Sequence, residues 1–158
     1  MCASSPAEFP RAVPRCKQSI GPSKSISRLL ITREPKGILL GLEEDDELTR
    51  TADQLLAILK KTDHPFARIN LDCGNFRKDG CKEVERCAPF AAATHIKTNM
   101  SSPDGNREAA DWVKLFGILA NAGYRGYVSV EFEPNDKDNP IVRYSPELIR
   151  CARMYSGV

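Results

Sequence analysis

The stretch FARINLDCGNFRKDGCKEVERCAPFAAATHI, residues 66–96, reads as strand, helix, strand. FARINLD (66–72) is a strand that ends in Asp72, KEVERCA (82–88) is a short helix, and AAATHI (91–96) is a second strand with His95 near its end. A strand joined to its successor through a helix is the unit of a parallel sheet. The same alternation extends in both directions. Upstream, GILLGLE (37–43) is a compact apolar run ending in Glu43, which suits a strand buried on both faces. TADQLLAILKK (51–61) follows it, with Leu55, Leu56, Ile58 and Leu59 at helical spacing, Thr51 placed as N-cap and Asp53 in the first turn. Downstream, the spacing predicts an amphipathic helix over 106–122, with Ala109, Ala110, Trp112, Val113, Phe116, Leu119 and Ala120 as its apolar stripe and Gly123 as its stop. GYVSVEF (126–132) is the fourth strand, and Ser145 with Pro146 opens a last helix, PELIRCARMY (146–155). Four βα units in succession predict an α/β fold with right-handed crossovers, without deciding between barrel and open sheet.

The flanking composition sets the boundaries. A chain of 158 residues, 41% apolar and 28% charged, suits one globular domain. No run approaches the roughly eighteen apolar residues of a membrane span, and residues 2–20 lack the apolar centre of a secretory signal. A cytoplasmic protein is expected. Six cysteines without a CxxC pair read as reduced thiols. Residues 1–36 hold seven Lys/Arg against two Asp/Glu, whereas the remainder holds sixteen against nineteen. The basic excess thus belongs to a Ser/Pro-rich leader at 1–36, read as a segment mostly disordered or unrelated to the domain that follows at 37–158. Few acids and many Ser and Arg also fit a transit peptide, but without amphipathic periodicity. No nucleic-acid patch is indicated on the domain.

The polar residues within the alternation point to chemistry. Glu43, Asp72, His95 and Glu131 each fall at or near the end of a successive strand. In parallel β/α folds these ends share one face, so the four side chains should converge. Three carboxylates and an imidazole would repel one another without a cation. Their oxygen-rich set suits one divalent metal, Mn²⁺ or Mg²⁺, and tolerates Co²⁺ or Zn²⁺. Singly, each has a blander reading: Glu43 as a loop charge beside Glu44, Asp45, Asp46 and Glu47, Asp72 as a turn cap, His95 as a hydrogen-bonded core histidine. Glu133 leaves the register of the last position open by one alternation.

These residues lie in segments that resemble the sugar phosphate isomerase/epimerase group of xylose-isomerase-like TIM barrels: LEED with ELTRTADQLLAILK, INLDCGNFRKDG, APFAAATHIKT, and DGNREAADWVKLFGILANAGYRGYVSVEFE. The resemblance covers roughly residues 37–155 and implies the last four strands of a TIM barrel. It implies Glu43, Asp72, His95 and Glu131 as ligands of one metal, Mn²⁺ first, and a sugar or sugar-like substrate. It also implies proton transfer through an enediolate, with Glu43 and Glu131 as acid/base pair. Opposite faces give epimerisation; transfer to the next carbon gives isomerisation. Asn75 stands where ketose epimerases place a second His and can hydrogen-bond a substrate hydroxyl, and Lys97, two residues beyond His95, either faces the mouth with it or is solvated. The acidic run 44–47 replaces the small polar turn of many relatives.

A full barrel has eight such units over about 250 residues. A half barrel leaves two open strand edges and an apolar inner face, which calls for a homodimer or another covering chain. The competing reading is a non-catalytic remnant or oligomerisation module. An abasic-site endonuclease on the same barrel would need several His ligands, and only His64, in a turn, accompanies His95. Cys73 reads as core or turn packing, not as a nucleophile.

Overall fold

The computed structural model describes residues 21–33, 36–45, 47–132 and 140–156. Helix α1 (Pro22–Arg33) precedes strand β1 (Leu40–Glu43), and then α2 (Ala52–Thr62), β2 (Ala67–Asp72), α3 (Gly80–Cys87) and β3 (Ala91–Ile96) alternate. A hairpin of β4 (Asn99–Ser101) and β5 (Arg107–Ala109) comes next, followed by α4 (Trp112–Asn121), β6 (Val128–Val130) and α5 (Pro140–Ser156). The main sheet has order β1-β2-β3-β6, all parallel. Spatial order therefore follows chain order. The helices pack as a row, α1 on α2, α2 on α3, α3 on α4 and α4 on α5. A sheet wound in one direction beneath one row of helices is a barrel segment, since a doubly wound sheet reverses its order and covers both faces.

The core lies between sheet and helices. Ile69 and Leu71 of β2, Ile96 of β3, Leu55 of α2, Val84 and Cys87 of α3, and Leu115 of α4 are all fully buried there. Each large aliphatic contributes roughly 1.5–3 kcal/mol by leaving water. Trp112 closes one end, its indole N–H donating to the Lys97 carbonyl at 3.0 Å and its ring meeting Tyr144 edge-on at 5.5 Å. Helix α2 begins where the sequence places it: Thr51 Oγ1 accepts the Gln54 N–H at 3.3 Å and Gln54 Oε1 accepts the Thr51 N–H at 3.1 Å. Two of the helix's unpaired donors are satisfied by this reciprocal cap.

Several expectations are corrected. Residues 22–33, assigned to a disordered leader, are helical, and Leu30 is fully buried. Of the short apolar stretch only Leu30 is buried, Leu29 and Ile31 staying exposed, and the helix orders by packing on α2. Residues 1–20 lie outside the described residues. The helix expected over 106–122 starts only at Trp112: Arg107–Ala109 pairs antiparallel with Asn99–Ser101, and Asp111 caps the helix by accepting the Lys114 N–H at 3.0 Å. Ala109 and Ala110 favour helix locally, but the hairpin ladder outweighs that preference. The last helix begins at Pro140, and Pro146 lies inside it, removing one bond to the Val142 carbonyl.

Strand β1 is not buried on both faces: Leu40 and Leu42 are half-buried, Gly41 is exposed, and Ile38 and Leu39 before it are exposed. It is an edge strand with helices on one side only. The inner face is also not apolar. Parallel register puts Glu43 level with Asn70, Asp72 with His95, and His95 with Ser129, so Gly41, Arg68, Asn70, Ala93 and Ser129 share the open face with the acids. Among the described residues no helix is long and apolar enough to cross a membrane.

Candidate metal centre

Glu43 is the last residue of β1, Asp72 the last of β2, and His95 the next-to-last of β3. Glu131 follows β6, placed by its N–H on the Ile96 carbonyl at 3.0 Å. Their ligand atoms all lie within 4.8 Å of one another. His95 Nδ1 sits 3.1 Å from Glu131 Oε2, 3.5 Å from Glu43 Oε1 and 4.0 Å from Asp72 Oδ2.

Each carboxylate has one oxygen tied back. Asn70 Nδ2 donates to Glu43 Oε2 at 2.8 Å, the Gly74 N–H to Asp72 Oδ1 at 2.8 Å, and Lys97 Nζ stands 3.2 Å from Glu131 Oε1. The opposite oxygen of each faces His95 Nδ1. Three oxygens and one nitrogen therefore surround a common point; His95 Nδ1 is buried there without a hydrogen-bond partner, and Asp72 Oδ2 meets the Lys97 ammonium at 3.2 Å. Buried acidic groups gathered in this way call for cations. The donor set fits a divalent metal.

Lys97 is buried, not solvated, with Nζ 3.2 Å from Asp72 Oδ2 and donating to Asn75 Oδ1 at 2.9 Å. A cation is thus already built in. One ammonium against three carboxylates leaves two negative charges, which a divalent ion matches. Gly74 makes this packing fit: a Cβ there would lie 2.7 Å from Lys97 Cδ and 2.9 Å from the Asn99 carbonyl. Burial pushes the Asp72 carboxyl above its ordinary range, opposed by the Gly74 N–H and by Lys97.

The structure brings together all four proposed ligands with Asn75 and Lys97. Glu131 fills the last position; Glu133 lies outside the described residues. His64 sits at the far end of the sheet, its Nδ1 accepting the Phe66 N–H at 3.2 Å. Cys73 is buried in the core, which pushes its thiol well above the usual value. Sequence reasoning missed Asn70, although strand alternation puts it two residues before Asp72 on the same face. It also missed Glu44, which is 1% exposed with both carboxylate oxygens unpartnered. Burial pushes its carboxyl up to about 9, with the Asp72 charge adding to the effect and its own backbone N–H opposing it. Nothing in the acidic run distinguishes it.

The pattern of the xylose isomerase-like TIM barrel family matches residues 10–151. The chain belongs to that family. The match begins inside the basic N-terminal stretch, upstream of α1. Among solved structures, a xylose isomerase-like TIM barrel protein from Mycobacterium smegmatis in complex with magnesium is similar with a TM-score of 0.69 and 18% identity, over 84% of this chain and 50% of that one. D-psicose 3-epimerase with D-tagatose from Clostridium cellulolyticum H10 gives 0.64 and 18%, over 84% and 54%. An L-ribulose 3-epimerase structure gives 0.59 and 21%, over 85% and 51%. The chain spans about half the length of the solved structures it matches. No curated protein matches it.

Proposed function

We propose that this chain carries the metal-binding half of a sugar isomerase/epimerase. The reading rests on one observation: three carboxylate oxygens and an imidazole nitrogen, from the ends of four neighbouring strands, lie within 4.8 Å of one another. Glu43, Asp72, His95 and Glu131 would hold the ion, with Mn²⁺ the first choice. When bound, such an ion polarises a carbonyl and acidifies the adjacent C–H.

The protein's own groups divide the remaining work. The Glu43 and Glu131 side chains are 35% and 43% exposed, whereas that of Asp72 is 0% exposed. Of the three carboxylates, the two glutamates are the ones placed to reach a substrate proton. They come from opposite edge strands of the sheet, so one can remove a proton from one face of a carbon while the other returns it from the opposite face. Asn70 and Lys97 hold them in place. The enediolate formed from the substrate would lie between them, beside Asn75. Related structures contain D-tagatose and D-allulose, which makes ketoses the natural first substrates.

Calorimetric titration with Mn²⁺ tests this. Saturable binding by the wild type that is lost in Asp72→Ala is expected; indistinguishable isotherms would overturn it. A second reading, an oligomerisation module, is favoured by the open edges of β1 and β6 and by Tyr127, which is 90% exposed. A second copy could supply strands to both edges. Light scattering after size exclusion should then return twice the chain mass.

A further inference from the structure

Asp72 and Lys97 are both set from one turn. Asp72 ends β2, and in the turn that follows it the Gly74 N–H donates to Asp72 Oδ1 at 2.8 Å. The next residue, Asn75, accepts at Oδ1 from Lys97 Nζ at 2.9 Å, and that ammonium stands 3.2 Å from both Asp72 Oδ2 and Glu131 Oε1. One peptide group joins these two residues. Its carbonyl, that of Gly74, accepts from Arg107 Nη1 at 2.6 Å.

Arg107 belongs to β5, outside the main sheet, and all three residues of that strand are exposed. Its guanidinium also donates from Nη2 to the Asn99 carbonyl of β4 at 3.3 Å, so one planar group ties the β2 turn to the hairpin. Two further contacts seat the hairpin on this loop. The Asp79 N–H donates to the Ser102 carbonyl at 2.8 Å, and a Cβ at Gly105, where φ is +85°, would lie 3.2 Å from the Arg77 carbonyl. Gly74 brings no side chain to hold the turn, so the position of its peptide depends on bonds from outside, and a charged donor makes the stronger kind.

We infer that Arg107 is a positioning residue for the metal centre: by fixing the Gly74–Asn75 peptide it holds Asp72 from one side and Lys97 from the other, and so sets how tightly the four ligands take up a divalent ion. The inference rests on the reading of that centre as a metal site. The sign of the effect separates positioning from plain electrostatics. A guanidinium on this turn repels a dication, so removing its charge alone would tighten binding, whereas releasing the turn loosens it.

Calorimetric titration of the full chain with Mn²⁺ compares the wild type with Arg107→Met, which keeps an apolar stem but no donors. Binding about tenfold weaker is expected, the scale on which groups that orient metal ligands act. Arg107→Lys, able to hold the Gly74 carbonyl with one N–H, should recover part of the loss and bind about threefold more weakly than the wild type. Hydrogen exchange followed by NMR in EDTA adds a metal-free measure: the Gly74 amide should exchange faster in Arg107→Met while the Leu71 amide, within β2, keeps its wild-type rate. Should Leu71 exchange rise as well, the fold itself has loosened and Arg107→Lys decides, with wild-type affinity and wild-type Gly74 exchange counting against the inference. Equal or tighter Mn²⁺ binding in a folded Arg107→Met, or weaker binding with Gly74 exchange unchanged, would overturn it. A wild type that binds no Mn²⁺ removes the reading of the centre and this inference together; binding that Asp72→Asn weakens and Arg107→Met leaves intact removes this inference alone.

Discussion

On one face of β2, Ala67, Ile69 and Leu71 are buried against the helices; on the other, Arg68, Asn70 and Asp72 face the open side. These sets interleave residue by residue, so backbone, register and neighbouring strands are common to both. What differs is what covers them. The first set has α2 and α3 above it and is read by apolar contact; the second has no layer above it among the described residues and carries polar groups that satisfy each other or wait for a ligand. Stability and chemistry are thus separated by one residue along the chain, and a substitution should disturb one without the other.

The largest effect is expected from Leu71→Ala, which removes a fully buried side chain and should lower unfolding free energy by about 2–5 kcal/mol in urea titrations. The Mn²⁺ affinity of the molecules that remain folded should be unchanged. Asp72→Asn should do the converse, weakening Mn²⁺ binding about 100-fold, or about 2.7 kcal/mol, with calorimetry as the readout. If these two variants gave interchangeable results, the division between faces would collapse.

Glu44→Gln sharpens the comparison at its boundary, because Glu44 is buried next to Glu43 of the acidic cluster with both carboxylate oxygens unpartnered. Its carboxyl at about 9 in the folded chain keeps a proton that the unfolded chain, near 4.5, has released. The folded state therefore binds more protons across that window, and stability falls as pH rises through it. The slope is at most about 1.4 kcal/mol per pH unit. Urea midpoints from pH 5 to 9, in EDTA, should decline in the wild type and flatten in Glu44→Gln. The smallest effect is expected from Thr51→Ala, which removes a surface cap remote from both faces and should cost about 1 kcal/mol in thermal melts, with Mn²⁺ binding unaltered.

Much of this division was legible in the sequence. Apolar runs alternating with helically spaced segments marked all four strands of the main sheet, and strand-end position pointed to Glu43, Asp72, His95 and, with Glu133 as its alternative, Glu131, because parallel strands present their C-terminal ends together. The hairpin was not legible. Arg107, Glu108 and Ala109 carry no strand signal, and their pairing is made by Asn99–Ser101, several residues upstream. Helix α1 was hidden for a related reason: its apolar content is low, and its order comes from α2. The sequence favours a solvated Lys97 over one that faces the mouth, and its burial was hidden because it depends on partners from other strands, here Asp72 and Glu131.

The β4–β5 hairpin hangs between β3 and α4 without joining the main sheet, touching the mouth through Arg107 and the Ser102 backbone. A unit attached in this way can be lengthened, shortened or swapped while every strand keeps its neighbours. Libraries confined to residues 103–106 should therefore diversify the rim of the mouth at little risk to whether the molecule folds, giving protein engineers a dial that leaves the proposed metal ligands and Arg107 in place.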